Sequence, residues 1–307
     1  MEVEQWCIRV DREHGEEKRR ELLLSGFLDR GLKPRTDGDS ILFPVTESIA
    51  GSERSCFHAH SLRMSFPRHE LIGGIAVMQE RDAAGAEKLL ASRPSLHTVL
   101  YPLSDVEGEF RTRRFEVLAG IPTAKTRYTE YGHRFVIDLE AAYFSARLSS
   151  ERQRILSLMA SGELVMDMFA GVGPFAISLA NSASFVVACD INAAAVRIMV
   201  KNLHLNRTRN VLPVLSDAHR LADVLPWRFD RIVMNYPIHA FRFMPTAVRL
   251  CRKRGTIHCY ALVSEEEELL PYFDRFPVDK IREKYVRSYS PGKWHAVYDI
   301  TLEKEDD

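Results

Sequence analysis

The chain has 307 residues, 46% of them hydrophobic, and its 42 Lys plus Arg balance 42 Asp plus Glu. This length accommodates two or three domains, and this composition excludes a disordered or collagen-like chain. Zero net charge excludes nucleic-acid binding through a global positive field, so any such partner has to be held by local basic patches.

In chain order, residues 1–65 read as a small separate α+β unit. Residues 16–28 have helical spacing of Leu22, Leu23, Leu24 and Leu28, with a Glu/Lys/Arg-rich outer face. Asp37-Gly38-Asp39 is a turn signal, and a strand follows over 41–45. Residues 49–66 are polar and irregular. They contain His58 and His60, read as solvated loop histidines because no third metal ligand is close in sequence.

Residues 66–140 read as a middle α+β unit. A strand is expected over 71–78, a helix over 82–91 with Ala83, Ala86, Leu89 and Leu90 inward, and a strand over 95–100. Arg111, Arg113 and Arg114 then lie beside Phe110 and Phe115. That cluster suits phosphate or base contact, and equally a solvated turn. Residues 126–130 and 133–138 form a hairpin around Gly132.

Residues 141–307 alternate strand and helix, which implies a mostly parallel sheet with helices on both faces. Ser149 or Ser150 is placed to cap a helix over 151–161. The run Leu164-Val-Met-Asp-Met-Phe-Ala-Gly-Val-Gly-Pro174 is a buried strand ending at Asp167, a two-glycine turn with Gly171 and Gly173, and a helix opening on Pro174. Bare backbone and a helix start make a nucleotide pocket. A second strand ends at Asp190, 23 residues after Asp167, where an acid is placed to accept both ribose hydroxyls. A third ends in Ser216-Asp217-Ala218, placed at an adenine edge, and a fourth in Asn235-Tyr236-Pro237. That succession of strand tips is the order of S-adenosylmethionine (AdoMet) methyltransferases, whereas a dinucleotide site would more often carry the full G-x-G-x-x-G. Residues 285–288 and 294–302, around Pro291-Gly292, read as an antiparallel closing pair. The fold class is therefore α/β: a class I, Rossmann-like methyltransferase domain preceded by two small α+β domains.

No apolar run approaches ~20 residues, and the N-terminus lacks a signal-peptide layout, so no membrane contact is expected. Cys7, Cys56, Cys189, Cys251 and Cys259 form no C-x-x-C pair, which argues against structural zinc and against a disulfide framework. No metal and a reduced, cytoplasmic setting are expected.

Arg111-Thr-Arg113, Tyr143-Phe-Ser-Ala-Arg147-Leu-Ser-Ser-Glu151-Arg152, the 167–175 loop, Asp190-Ile-Asn192, Met234-Asn-Tyr-Pro237 and Tyr289-Ser-Pro-Gly together resemble the archaeal–eukaryotic type tRNA (guanine-N1)-methyltransferase family. The resemblance is good over 71–302 and fainter over 16–45. Ala146 and Ala193 stand where the family usually has Pro, and Ile238 where Lys is common. The resemblance implies methylation of guanosine 37 of tRNA, beside the anticodon, by a three-part enzyme with AdoMet as methyl donor, expected here as a monomer.

Guanine N1 carries a proton, so the reaction needs a base at N1 and a donor or cation at O6. By resemblance Glu151 is the base. Arg111 steadies O6, with Arg113 as the other candidate. Asn235 holds the guanine through its side-chain amide or a pocket-side carbonyl. Arg152 and the backbone near Gly171 meet the methionine carboxylate. The cofactor pocket is accordingly assigned to Asp167, Phe169, Gly171, Gly173, Asp190, Ile191, Asp217, Ala218, Asn235, Tyr236 and Pro237 with Arg152. The tRNA contacts are assigned to Arg113, Arg114, Arg147, Arg252, Lys253 and Arg254. The last three lie in the densest basic patch, near a helix end where basic residues also favour the dipole.

Three other readings remain open at this stage. A related wyosine-pathway transferase moves the aminocarboxypropyl group of AdoMet, or methylates a tricyclic precursor at position 37. A catalytically silent tRNA-binding protein would not need an intact pocket. A small-molecule methyltransferase leaves roughly 140 preceding residues unexplained.

Overall fold

The computed structural model describes residues 2–59, 66–104, 108 and 112–303. The chain divides into two compact units, Met1–Phe66 and Pro67–Asp307.

The first unit holds β1 (Glu2–Asp11), α1 (Gly15–Leu24), β2 (Arg35–Asp37), β3 (Ser40–Pro44) and β4 (Ser52–His58). The strands form one antiparallel sheet in the order β2-β3-β1-β4. Alternation along β1 sends Cys7 to a cluster with Leu42 and Phe57, and Ile8 to one with Leu22 and Phe43. The helix stops earlier than its leucine spacing suggests. Gly26 takes a φ of +75° just past it, and Leu28 leaves to bridge Val45. Only Leu22 of the three consecutive leucines is buried, and Leu24 is 84% exposed. β4 corrects the expectation of an irregular 49–66. As a strand paired, among the described residues, only to β1, it buries Phe57 and needs no apolar repeat. His58 is exposed at its end; His60 lies outside the described residues.

The second unit opens with β5 (His69–Ile72), β6 (Ile75–Met78), α2 (Ala83–Ser92), β7 (Thr98–Pro102) and β8 (Phe115–Gly120), whose strands pair in that order. The expected single strand over 71–78 is instead a hairpin. Gly73 turns at φ +57° so close to the carbonyl of Arg127 that a Cβ there would sit 1.9 Å from it. In α2, capped by Asp82, Ala86 and Leu89 are buried while Ala83 is exposed. β9 (Lys125–Glu130) and β10 (His133–Asp138) form the expected hairpin.

Then follow α3 (Ser149–Ser157), β11 (Leu164–Asp167), α4 (Pro174–Leu179), β12 (Phe185–Asp190), α5 (Ala193–Leu205), β13 (Val211–Leu215), α6 (Leu221–Val224), β14 (Phe229–Met234), α7 (Met244–Leu250), β15 (Cys251–Val263), α8 (Leu270–Phe273), β16 (Val278–Ser290) and β17 (Lys293–Leu302). Neither Ser149 nor Ser150 caps α3; a short 3-10 turn over Ala146–Leu148 runs straight into it and leaves Leu148 at the cap. The sheet order is β13-β12-β11-β14-β15-β17-β16, parallel through β15, with β17 antiparallel to both its neighbours. Strands β11 and β12 are apolar up to their terminal aspartates because both their faces are covered. Chain order reverses between β11 and β14, the switch point where such sheets open a crevice at the strands' C-terminal ends. Ile72, Ile75, Leu100 and Phe135 join Val165, Phe175 and Tyr260 in one core, so strands β5, β6, β7 and β10 and the large sheet pack as one body.

Candidate active site

A cavity of about 260 Å³ lies at that switch point. Its floor is the loop after β11, with Phe169 and Gly171; its sides come from Asp190 and Ile191 after β12, Asp217 and Ala218 after β13, and Asn235 and Tyr236 after β14. The strand ends at Asp167, Asp190, Leu215 and Met234 thus meet because parallel strands end on one edge. Gly173, Asp167 and Pro237 lie behind this wall rather than in it. Gly173, at φ +89°, leaves the loop for α4, and a Cβ there would meet the Met199 side chain at 2.9 Å. The carbonyl of Pro237 accepts a hydrogen bond from the Leu262 amide at 2.9 Å, anchoring the 235–237 tip to β15.

The acidic groups are held in distinct ways. Asp190 accepts the amide of Gly171 at 2.7 Å and that of Asn192 at 2.8 Å. The glycine loop is thereby tied to the second strand tip, and the Gly171 amide is spent on Asp190. Burial pushes the Asp190 carboxyl up, and these amides pull it back in part. Asp217 accepts the His219 amide at 2.9 Å. Asp167 is buried, and neither of its oxygens has a hydrogen-bond partner. Burial pushes its carboxyl up to about 7; the nearby amides of Phe169 and Ala176, short of hydrogen-bond geometry, draw it down in part, and Asp190 adds to the rise. Asn235 Oδ1 is buried and unpartnered as well.

Around α3, Leu148 and Arg152 face the cavity, while Glu151, only 3% exposed, does not line it. The Arg152 guanidinium is engaged by Glu130 through two bonds of 2.5 Å, with the carbonyl of Ser145 at 3.4 Å. Its charge is therefore compensated within the protein. Glu151 accepts from Lys284 at 2.9 Å, Arg154 at 2.8 Å and the Tyr260 hydroxyl at 3.1 Å. Burial pushes its carboxyl up, but Lys284 and Arg154 outweigh burial and hold it below the usual carboxylate range.

A second cavity of about 430 Å³ shares Tyr143, Phe144 and Ser145 with the first and is lined by Arg113, Arg147, Arg287 and Tyr289. Arg147 pairs with Glu70 at 2.7 Å, whereas the buried Nε atoms of Arg113 and Arg287 have no partner among the described residues. Arg114 is exposed at the start of β8; Arg111 lies outside the described residues. Arg252, Lys253 and Arg254 open β15 beside the first residue of β14, at the opposite end of the sheet from the cavities. Arg252 is paired to Asp230 at 2.5 Å.

Residues 126–284 match the TRM5/TYW2 methyltransferase domain, and residues 7–53 match the tRNA methyltransferase 5 N-terminal domain. The chain belongs to the TRM5/TYW2 methyltransferase family. It is 31% identical to the tRNA (guanine(37)-N(1))-methyltransferase Trm5b of Pyrococcus abyssi, over 96% of this chain and 98% of that one. It is 28% identical to the tRNA(Phe) (4-demethylwyosine(37)-C(7)) aminocarboxypropyltransferase of Methanocaldococcus jannaschii, over 77% of this chain and 98% of that one. It superposes on aTrm5 from a solved complex of aTrm5 and tRNALeu with a TM-score of 0.72 and 26% identity, covering 97% and 99% of the two chains.

The cavity of this TRM5/TYW2 domain fits an AdoMet-sized nucleoside. An unpartnered Asn235 oxygen, a carboxylate at the second strand tip and an aromatic wall are what such a ligand requires. Sequence reasoning missed much of that wall. Phe169 packs against Tyr236 and Phe243, and the His219 ring stacks on Phe243 at 4.0 Å. Phe243 and the cavity-lining Arg242 and His239 follow the Asn-Tyr-Pro tip on a 3-10 turn, Ala240–Phe243. The aromatic spacing of Phe241 and Phe243 was the available signal. Among the described residues, no group of side chains could hold a metal ion and no helix is long and apolar enough to cross a membrane.

Proposed function

We propose that this chain is a tRNA (guanine(37)-N1)-methyltransferase that uses AdoMet and works as a monomer in the cytoplasm. The observation that carries the reading is the length of the match: it runs through the tRNA methyltransferase 5 N-terminal region, while the aminocarboxypropyltransferase relative covers a smaller share of the chain. Residues 1–65 serve tRNA recognition, 66–140 form the middle domain, and 141–307 the methyltransferase domain; the shared core explains why the last two pack as one unit.

Asp190 takes the ribose hydroxyls, Asp217 and the Ala218 backbone the adenine edge, and Phe169, Ile191 and Tyr236 the flat faces. Asn235, whose oxygen is buried without a partner, holds the guanine. Arg152 shapes the methionine end together with its partner Glu130. When bound, AdoMet supplies the methyl group, its C–S bond breaking onto sulfur as the N1–C bond forms. Glu151 takes the N1 proton, and Arg111 or Arg113 offsets the negative charge that gathers at O6. Arg113, Arg114 and Arg147 contact the tRNA near the second cavity. Arg252, Lys253 and Arg254 reach only a distant part of it, because they sit at the far end of the sheet.

The test is incubation with methyl-labelled AdoMet and unmodified tRNA carrying G37 or A37, followed by nucleoside mass analysis. 1-Methylguanosine from the G37 tRNA alone is the expected product. An aminocarboxypropyl mass gain, or reaction only with a tricyclic precursor, moves the assignment to the wyosine pathway.

A further inference from the structure

Glu151 is a weakened base in the arrangement found, since three donors hold its two oxygens and stabilise the carboxylate. Oε2 accepts from Arg154 Nε and Tyr260; Oε1 accepts from Lys284 Nζ. The first two donors are fixed. Tyr260 is fully buried in β15. Arg154 is locked from behind by Asp299, which accepts from it at 2.6 and 3.2 Å. Asp299 is held in turn by His258 Nδ1 at 2.6 Å, and Arg231 Nη1 donates to His258 Nε2 at 2.6 Å. A guanidinium only donates, so His258 is the neutral Nδ1–H tautomer, and the row ends on the Arg231–Glu163 pair at 2.6 Å. Arg154, Asp299, His258, Arg231 and Glu163 each have two partners and little exposure.

Lys284 differs. It stands on the edge strand β16, its side chain is 45% exposed, and water can replace Glu151 as its partner. The same strand supplies Arg287 and Tyr289 to the second cavity, so a nucleotide settling there meets β16.

We propose that Lys284 is the displaceable partner of Glu151: it holds Oε1 in the free enzyme, and the arriving nucleotide moves it aside, leaving Oε1 to take the N1 proton while Arg154 and Tyr260 keep Oε2 fixed. This rests on reading Glu151 as the base. The N1–H bond breaks with its proton going to Oε1, and the electron pair left on N1 forms the new bond to carbon. Lys284 neither gains nor loses a proton; it is a positioning residue. The groups facing Glu151 are Arg154 on its own helix, Tyr260 on β15 and Lys284 on β16, with Asp299 of β17 behind Arg154. Removing Lys284 leaves one cation against the burial that favours the protonated acid.

The experiment measures single-turnover methylation of G37 tRNA against pH for Lys284→Met and Lys284→Arg, with AdoMet and tRNA affinities in parallel. For Lys284→Met the acid limb of the rate at sub-saturating tRNA, which reports the free enzyme in which Lys284 holds Glu151, should move up by about 1 pH unit or more, because the carboxylate loses an opposite charge. The plateau above that limb should rise, because no donor has to leave. AdoMet affinity should hold, and Lys284→Arg should restore the wild-type limb. Two results overturn the proposal: an unmoved limb, or a loss equal at every pH, whether or not tRNA affinity falls with it. Glu151→Gln separates the two readings. Normal turnover by that variant removes the base assignment itself, whatever Lys284→Met shows.

Discussion

Arg152 and Glu130 meet as a buried pair joined by two bonds of 2.5 Å, the guanidinium coming from α3 and the carboxylate from the end of β9. Their side chains are 1% and 4% exposed, and the guanidinium lies 5.8 Å from the ring centroids of both Phe144 and Phe175. The pair clamps the hairpin to the helix that carries Glu151 and closes one wall of the cofactor cavity.

Glu130→Ala should therefore be among the most damaging single changes. It leaves a buried guanidinium uncompensated, at a cost of about 3–5 kcal/mol. Arg152→Met placed on top should recover part of that loss, because the stranded charge goes with it. Thermal unfolding of the two single variants and the double variant checks this. Additive losses would mean the two residues act independently.

Asp190→Ala should weaken AdoMet binding by tenfold or more, about 1.5–3 kcal/mol, through loss of a charged acceptor for two hydroxyls. It should also lower stability, since the Gly171 and Asn192 amides lose their acceptor. Isothermal titration with AdoMet decides the first point. An unchanged affinity would remove the ribose role.

The large sheet and its cavity were legible because parallel strands announce themselves. Residues 164–166, 185–189, 211–215 and 232–234 are short apolar runs, each ending in a polar tip, and chain order alone placed those tips on one edge. The hairpin 125–138 was legible from Gly132. β4 was not, because an edge strand with one buried side chain carries no period to read. Neither was the engagement of Arg152 or Glu151. Glu130, Lys284 and Asp299 lie up to 145 residues away from the α3 residues they hold, and nothing local marks them. Family resemblance pointed to Glu151 as a base, yet only the fold reveals that three donors already hold it.

The two loop glycines should differ on substitution. At Gly171, φ +55° lies in the left-handed region and a Cβ would have space, its nearest neighbour being the Tyr143 carbonyl at 3.5 Å. At Gly173 the backbone is at φ +89° and a Cβ would press on Met199 at 2.9 Å. Gly171→Ala should cost about 1 kcal/mol and Gly173→Ala about twice that, the difference being steric crowding added to backbone strain. Paired denaturant titrations read this directly; equal losses would mean Met199 yields without cost.

Asp167 should make stability depend on pH in a direction unusual for a carboxylate. Its folded-state carboxyl is pushed up to about 7 from an ordinary 3.8 by burial without a hydrogen-bond partner. Between those values the unfolded chain releases the proton while the folded chain keeps it. The folded state then binds more protons, so this group's contribution falls as pH rises from about 4 to about 7 and levels off above that. Asp167→Asn removes the titration and keeps the shape. The variant should match the wild type near pH 4 and exceed it above pH 7, by up to about 3–4 kcal/mol if the amide finds partners as good as the acid's. Thermal or denaturant unfolding of both proteins across pH 4–8 tests this. A gap that stays constant with pH would mean that Asp167 is ionised in the fold, and a gap that closes toward pH 8 would mean that its carboxylate is stabilised there by a partner.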